Sequence, residues 1–193
     1  MFEHIHIHIV VCMDENRGIG YQGRLLYSIK EDMKHFYQLT VNKVIVYGHK
    51  TLNTFPAAKP LPKRQNIVLS KSVGKIEGCA VVRSLQDLED YCHHNNITDL
   101  YVIGGESIYR QLLLYTEYVH MTYVYAHKQA DRFFPKFEDD FILLDSQTYG
   151  NGDAKYVFMT YKRKTKERDR NRKEIKGINK TLYKRMNRLW KSI

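Results

Sequence analysis

The sequence predicts an α/β fold: a central, mainly parallel sheet with an antiparallel C-terminal edge and helices on both faces, followed by a helical C-terminal extension. Three observations predict it. From the N-terminus to about residue 117, short apolar runs rich in β-branched residues alternate with segments of helical spacing. Beyond Glu117 two extended runs follow without a long helix between them, the pattern of antiparallel strands closing a sheet. Over the last 30 residues the composition turns strongly basic.

The elements follow in order. His8–Met13 reads as a buried strand, and Val44–Tyr47 as another that closes on Gly48. Asn66–Leu69 and Ala80–Val82 are short strands bounded by Gly, Ser and Lys, and Leu100–Ile103 runs straight into Gly104-Gly105. Helical patterns cover Ile29–Leu39, Lys50–Thr54, Ser84–Asn95 and Ser107–Leu114. Ser28, with Glu31 three residues on, has the arrangement of a capping box. Tyr118–Ala126 and Tyr156–Lys162 form the antiparallel pair. The alternation His4-Ile5-His6-Ile7-His8-Ile9 places three imidazoles on one strand face, where two could ligate a metal. No carboxylate or cysteine nearby completes a shell, and the isoleucine face accounts for the strand by itself. No metal is expected.

A chain of 193 residues, 43% hydrophobic, suits one packed domain with an appendage. The net charge of +10 is unevenly placed. Of the 31 basic and 21 acidic residues, 12 and 3 lie in 164–193, leaving 19 and 18 in the body. The organisation expected is therefore a near-neutral domain over 1–163 and a basic extension over 164–193. In the extension Ile175, Ile178, Leu182, Met186, Leu189 and Ile193 recur at helical intervals, so a basic amphipathic helix is expected. Such a helix suits nucleic acid, an anionic membrane surface or a partner groove, or packing of its apolar stripe on the body or on a second copy, while the body is expected to be monomeric. Three cysteines without CxxC spacing argue against a disulfide framework and suit a reducing cytoplasm. No apolar run reaches the roughly 18 residues of a membrane span, and the N-terminus lacks the basic start and cleavage site of a signal peptide.

Four stretches carry chemistry. Gly18-Ile19-Gly20 forms a glycine-punctuated loop that leads to a helix on which Asp32 and Phe36 share a face. That spacing suits either an amphipathic core helix with a solvated Asp or a carboxylate at a pocket wall, aimed at a flat ligand that Phe36 covers. Gly48-His49-Lys50-Thr51 joins a strand to a helix, and a helix start beside basic side chains is a natural phosphate site. Ser70-Lys71-Ser72 follows a strand with hydroxyls and an ammonium, as a ribose phosphate needs. Val102-Ile103-Gly104-Gly105-Glu106-Ser107-Ile108-Tyr109 sets paired glycines between strand and helix, where a ligand can approach the backbone closely. It is not the GxGxxG fingerprint, so an ordinary dinucleotide-binding Rossmann unit is not supported.

In this order and spacing the stretches resemble the dihydrofolate reductase family, from about Ile9 to Lys162. Pro60-Leu61-Pro62-x-Arg64-x-Asn66, Thr122 and Asp131…Phe134-Pro135 belong to the same pattern. The resemblance implies reduction of 7,8-dihydrofolate to tetrahydrofolate by hydride transfer from NADPH, in support of one-carbon metabolism and thymidylate synthesis. It gives Asp32 the role of binding the amino-pyrimidine edge of the pterin and assisting protonation at N5, with Thr122 supporting that carboxylate and Tyr27 beside the proton-delivering water. It makes Val10, Cys12, Met33, Phe36, Phe55, Leu61 and Ile103 the folate pocket walls, with Tyr109 at the nicotinamide end and Arg64 on the glutamate tail. For the cofactor it implies Cys12, Ile19, Gly20, Gly48, His49, Lys50, Thr51, Leu69, Ser70, Lys71, Ile103, Gly104, Gly105, Glu106, Ser107, Ile108 and Tyr109, with a cis bond at Gly104-Gly105.

Four departures stand out. Tyr27 replaces a tryptophan common in the family, and Leu25-Leu26 replaces a residue-proline pair. His49 and Ser107 stand where arginines are frequent, which removes fixed positive charge from the phosphate region; Lys50 and Lys71 compensate. Two other functions were weighed. The pyrimidine reductase of riboflavin synthesis shares the fold, but the Asp32-to-Phe36 arrangement and Arg64 are not expected there. A nucleic-acid-binding protein using a decayed reductase as a scaffold is opposed by the intact Asp32, Thr51 and Gly104-Gly105.

Overall fold

The computed structural model describes residues 1–149 and 155–164. The helix expected in the extension lies outside the described residues. Eleven strands are described: β1 (His6–Asp14), β2 (Gly18–Tyr21), β3 (Arg24–Leu25), β4 (Val44–Gly48), β5 (Gln65–Leu69), β6 (Cys79–Val82), β7 (Asp99–Val102), β8 (Thr116–Val124), β9 (Arg132–Phe133), β10 (Phe141–Tyr149) and β11 (Tyr156–Arg163). The helices are α1 (Lys30–Thr40), α2 (His49–Leu52), α3 (Leu85–His94) and α4 (Glu106–Leu112).

Eight strands form one sheet in the order β10-β11-β8-β1-β7-β4-β5-β6. From β8 to β6 neighbouring strands run parallel, while β11 pairs antiparallel with both β8 and β10. The parallel strands are apolar on both faces because each face is covered. Beneath α3 and α4, Ile7, Ile9, Val46, Leu100 and Val102 pack with Leu88, Cys92, Ile108 and Leu112. The opposite face gathers Val10, Ile45, Tyr47, Val68, Tyr101 and Ile103 with Leu52, while Phe36 and Leu39 of α1 pack against them. Ile7, Ile9, Ile45, Ile67 and Leu100 are fully buried.

Several expectations need correction. Tyr118–Ala126 is not at the edge: β8 lies between β1 and β11, and the edge strand is β10. The alternation of β10 is hidden because six of its nine residues are exposed, leaving little apolar pattern to read. A second, three-stranded sheet β3-β2-β9 was also not anticipated; its outer strands are two residues long. Ser28 does not cap α1. Ile29 is extended at the N-cap position without a side-chain cap, and the helix starts at Lys30. Ser84 does cap α3, accepting from the Asp87 N–H at 3.0 Å. The three imidazoles do not share a strand, since His4 lies ahead of β1 with a φ of 62°. Among the described residues no group of three or more His, Cys, Asp or Glu is arranged to hold a metal. No described helix is long and apolar enough to cross a membrane.

Candidate active site

α1 half-buries the stripe Asp32, His35, Phe36, Leu39, the i, i+3, i+4, i+7 face of a helix, and leaves Glu31, Lys34 and Gln38 exposed. A carboxylate therefore occupies a position that packing alone would fill with an apolar residue. Across from it the Thr122 hydroxyl of β8 donates to Asp32 Oδ1 at 2.6 Å. Burial raises the Asp32 pKa, opposed first by the Thr122 hydrogen bond and then by His35. Cys12, paired with Thr122 in the strand register, is pushed well up by burial, with Asp32 and Asp14 acting in the same direction. A thiol so shifted stays protonated at neutral pH.

Phe36, Phe55 and Leu61 pack against the cluster that contains Val10 and Ile103. Phe55 meets Tyr47 edge to face at 4.9 Å. Met33 stays outside the packed cluster, 46% exposed. Arg64 donates from Nε to Thr40 Oγ1 at 2.9 Å and from Nη1 to the Pro62 carbonyl at 2.8 Å, and its guanidinium lies 5.6 Å from the Phe36 ring. The loop that carries Arg64 is held by Asn66, which accepts from the Leu61 N–H and donates to the Leu61 and Arg64 carbonyls. Tyr47 donates to the same Asn66 side chain at 3.0 Å. Sequence reasoning marked Asn66 and did not reach Tyr47, which is fully buried in β4.

The paired glycines form the other wall. The Gly104-Gly105 bond is cis, as the resemblance implied, and Gly104 has a φ of +109° that strongly favours glycine. A Cβ on Gly104 would come within 3.1 Å of the Tyr109 ring, and one on Gly105 within 3.3 Å of Thr51 Oγ1. Tyr109 is buried and donates to the Val10 carbonyl at 2.8 Å, so it joins α4 to β1. The Gly48 N–H donates to the Gly104 carbonyl at 2.8 Å, bringing the first strand–helix turn beside the glycine pair. Gly48 also packs against Ile108.

Not all of the expected cofactor residues converge. Lys50 and Lys71 are exposed, and His49 and Ser70 are half-buried. Lys71 lies two strands away from the glycine pair, at the end of β5, where Leu69 is buried. The Arg83 guanidinium donates to the Lys71 carbonyl at 2.9 Å, adding a cation that sequence reasoning missed. Glu106 is engaged by Arg110 at 2.9 Å, and Ser107 by Gln111 at 3.1 Å. Ile19 packs against the main core, and Gly20 lies in β2.

Two further groups escaped the sequence. Asp14 is fully buried at the end of β1. Its Oδ1 accepts from the Asn16 and Gly18 N–H groups at 3.0 and 2.8 Å. Its Oδ2 accepts from the Tyr27 hydroxyl and the Lys128 N–H, both at 3.2 Å. Burial pushes the Tyr27 hydroxyl up to about 12, with Asp14 adding to the shift. Away from the cleft the same sheet face carries stacked rings: His8 on Tyr101 at 4.6 Å and on His120 at 5.5 Å, and His35 on Phe158 at 4.2 Å. His8 Nδ1 and His120 Nε2 share a hydrogen bond at 3.2 Å. Burial pushes the His120 imidazole down to about 4, aided by His8 and His35.

Comparison with known proteins agrees with this arrangement. The family model described as dihydrofolate reductase matches residues 6–163. Dihydrofolate reductase of Bacillus subtilis is 33% identical over 163 residues, 82% of this chain and 95% of the relative. A type A13 dihydrofolate reductase of Escherichia coli is 32% identical over 164 residues, covering 84% and 97%. Among solved structures, dihydrofolate reductase from Enterococcus faecalis, complexed with NADP(H) and RAB-propyl, superposes with a TM-score of 0.76 at 22% identity, covering 83% of this chain and 97% of that one. The fold and the relatives define the class as an α/β oxidoreductase. The chain belongs to the dihydrofolate reductase family.

Proposed function

We infer that the cleft carries out the family's reaction, reduction of 7,8-dihydrofolate to 5,6,7,8-tetrahydrofolate with NADPH as the reductant. One observation carries the reading: Asp32 stands on the core-facing stripe of α1 with one hydrogen bond among the described residues, from Thr122. A carboxylate so placed has acceptor capacity left for the amino and N3 hydrogens of a pterin. Phe36, Phe55, Leu61, Val10 and Ile103 supply apolar walls for the ring, and Arg64 a guanidinium for the terminal carboxylate of the glutamate tail.

The residues present fit a nicotinamide dinucleotide phosphate. Side chains at Gly104 and Gly105 would fill the space beside Tyr109 and Thr51. Thr51, the Glu106–Ile108 turn and Gly48 would hold the pyrophosphate end, and Ser70, Lys71 and Arg83 the ribose phosphate. When bound, NADPH supplies the hydride. The chain's task is to align the pterin C6 with it, keep water out of the nicotinamide slot and let a proton reach N5. Asp32 fixes the ring by its amino edge. Thr122 orients Asp32 and favours its ionised form.

NADPH absorbance followed after mixing with dihydrofolate tests the reading, and turnover is expected. Absence of turnover by folded protein would overturn it. Finer expectations rest on composition: a monomeric body, a cytoplasmic location, and nucleic acid or a second copy of the chain as the partner of residues 164–193, which carry 12 basic and 3 acidic groups. Truncation at Lys164 should leave turnover intact. Nucleic-acid binding by the full chain should weaken steeply as salt is added. Salt-independent association would instead favour an apolar contact between copies.

A further inference from the structure

Asp14 joins three pieces of chain through one carboxylate. The Asn16 and Gly18 amides belong to the turn that enters β2, Tyr27 precedes α1, and Lys128 follows β8. Tyr27 also lies beneath the Lys128 ammonium, 4.6 Å from the ring centroid. Asp14 stands two residues beyond Cys12 on the same face of β1, and Cys12 is paired with Thr122, the hydrogen-bond partner of Asp32, so Tyr27 is held at the end of the sheet face that carries the proposed pterin site. A tyrosine has one O–H, and here that hydrogen points at Asp14. Both Asp14 oxygens already accept from backbone N–H groups, so Asp14 is the acceptor of this bond too. The Tyr27 oxygen is left with lone pairs only for anything on its other side.

We propose that Asp14 is a positioning residue for the reduction: by taking the Tyr27 hydrogen it makes the tyrosine oxygen an acceptor, and so raises the proton affinity of the pterin N5. The proposal rests on the reading of this cleft as a pterin site with Tyr27 at its water. Once N5 carries a proton, a water bridging N5 and Tyr27 must accept from N5–H and donate its own hydrogens elsewhere. An acceptor oxygen on Tyr27 stabilises that arrangement; a donor would compete for the water's lone pair. The step balances as a proton from solvent to N5, through the water, and a hydride from NADPH to C6, yielding tetrahydrofolate and NADP+.

Asp14→Asn reverses the polarity. Its remaining oxygen stays on the Asn16 and Gly18 amides, its Nδ2 donates to Tyr27 at the cost of the bond from the Lys128 N–H, and the tyrosine hydrogen swings towards the water. Single-turnover NADPH oxidation measured across pH reads the effect. In D14N the pH at which the hydride step is half-maximal should fall by about one unit, with a rate about tenfold lower at neutral pH and little change at the acid plateau. Tyr27→Phe should show a similar shift, and D14N in the Y27F background should add none. A purely structural role for Asp14 would lower the rate at every pH and leave the midpoint in place. An unshifted midpoint in folded D14N, with a shifted one in Y27F, overturns the proposal and spares the reading of Tyr27. No shift in Y27F removes both, while turnover itself still tests the pterin site. If D14N does not fold, the natural chain carries the test: vibrational spectra with isotope-labelled tyrosine, compared with Y27F, should show the Tyr27 hydroxyl donating, and a hydroxyl that only accepts overturns the proposal.

Discussion

Asp14 and Asp32 both lie within electrostatic reach of Cys12, yet their surroundings differ in one respect. Asp14 has no exposed surface and accepts four hydrogen bonds, about the capacity of a carboxylate. Asp32 is half-buried and, among the described residues, accepts one hydrogen bond, from Thr122. Saturation marks the group that holds chain segments together. Unfilled capacity on a buried-facing carboxylate marks the group that awaits a ligand, because burial without partners is costly.

Substitutions at the two sites should therefore fail differently. Asp32→Asn is expected to lower turnover on the order of 10²–10⁴-fold while leaving the melting temperature nearly unchanged; retained activity would dissolve the contrast. Asp14→Ala orphans four donors and should destabilise the fold by several kcal/mol, since each unsatisfied buried group costs about 1–3 kcal/mol. Thermal unfolding would read this as a drop on the order of 10 °C, and an unchanged melting point would mean that water replaces the carboxylate freely. Thr122→Val removes the donor that favours ionised Asp32, so the Asp32 pKa should rise further and the pH-activity profile should move to higher pH on its acid side. An effect of about tenfold is expected near that limb, and a profile that stays in place would deny Thr122 its supporting role.

The smallest effect concerns the stacked histidines. The His120 pKa in the fold, about 4, lies below its ordinary value of 6.5. The unfolded chain therefore binds the proton first, and stability should fall as pH drops from about 6.5 towards 4, by an amount on the order of 2 kcal/mol. Above 6.5 this contribution is constant. His8 and His35 are shifted in the same direction, each chiefly by burial. Urea midpoints recorded against pH should show a shallower slope in His120→Phe than in the natural chain, and equal slopes would remove His120 from the account.

How much of this was legible beforehand follows from what local pattern can carry. The parallel strands announced themselves because burial on both faces leaves continuous apolar runs such as Val44–Tyr47 and Leu100–Ile103. Asp32, Phe36 and the glycine pair were readable from spacing and from the family pattern. β10 was not, since an exposed edge strand such as Phe141–Tyr149 needs no alternation to fold against β11. Asp14 looked like one acid in a polar turn. Its donors come from Asn16, Gly18, Tyr27 and Lys128, and the last is 114 residues away. His120, likewise, met His8 only once β8 lay beside β1.

The reach of Tyr109 has its own consequence. β1 pairs with β7 only as far as Ile9, and from Val10 onward its ladder continues on the β8 side alone. On the β7 side the Val10 carbonyl would face a gap, and the Tyr109 hydroxyl occupies that position instead. The two central strands can thus part company without leaving an unpaired backbone oxygen. Whatever meets this gap has no ladder to unzip and little chain to reorder, because the opening is already held by a side-chain hydrogen bond.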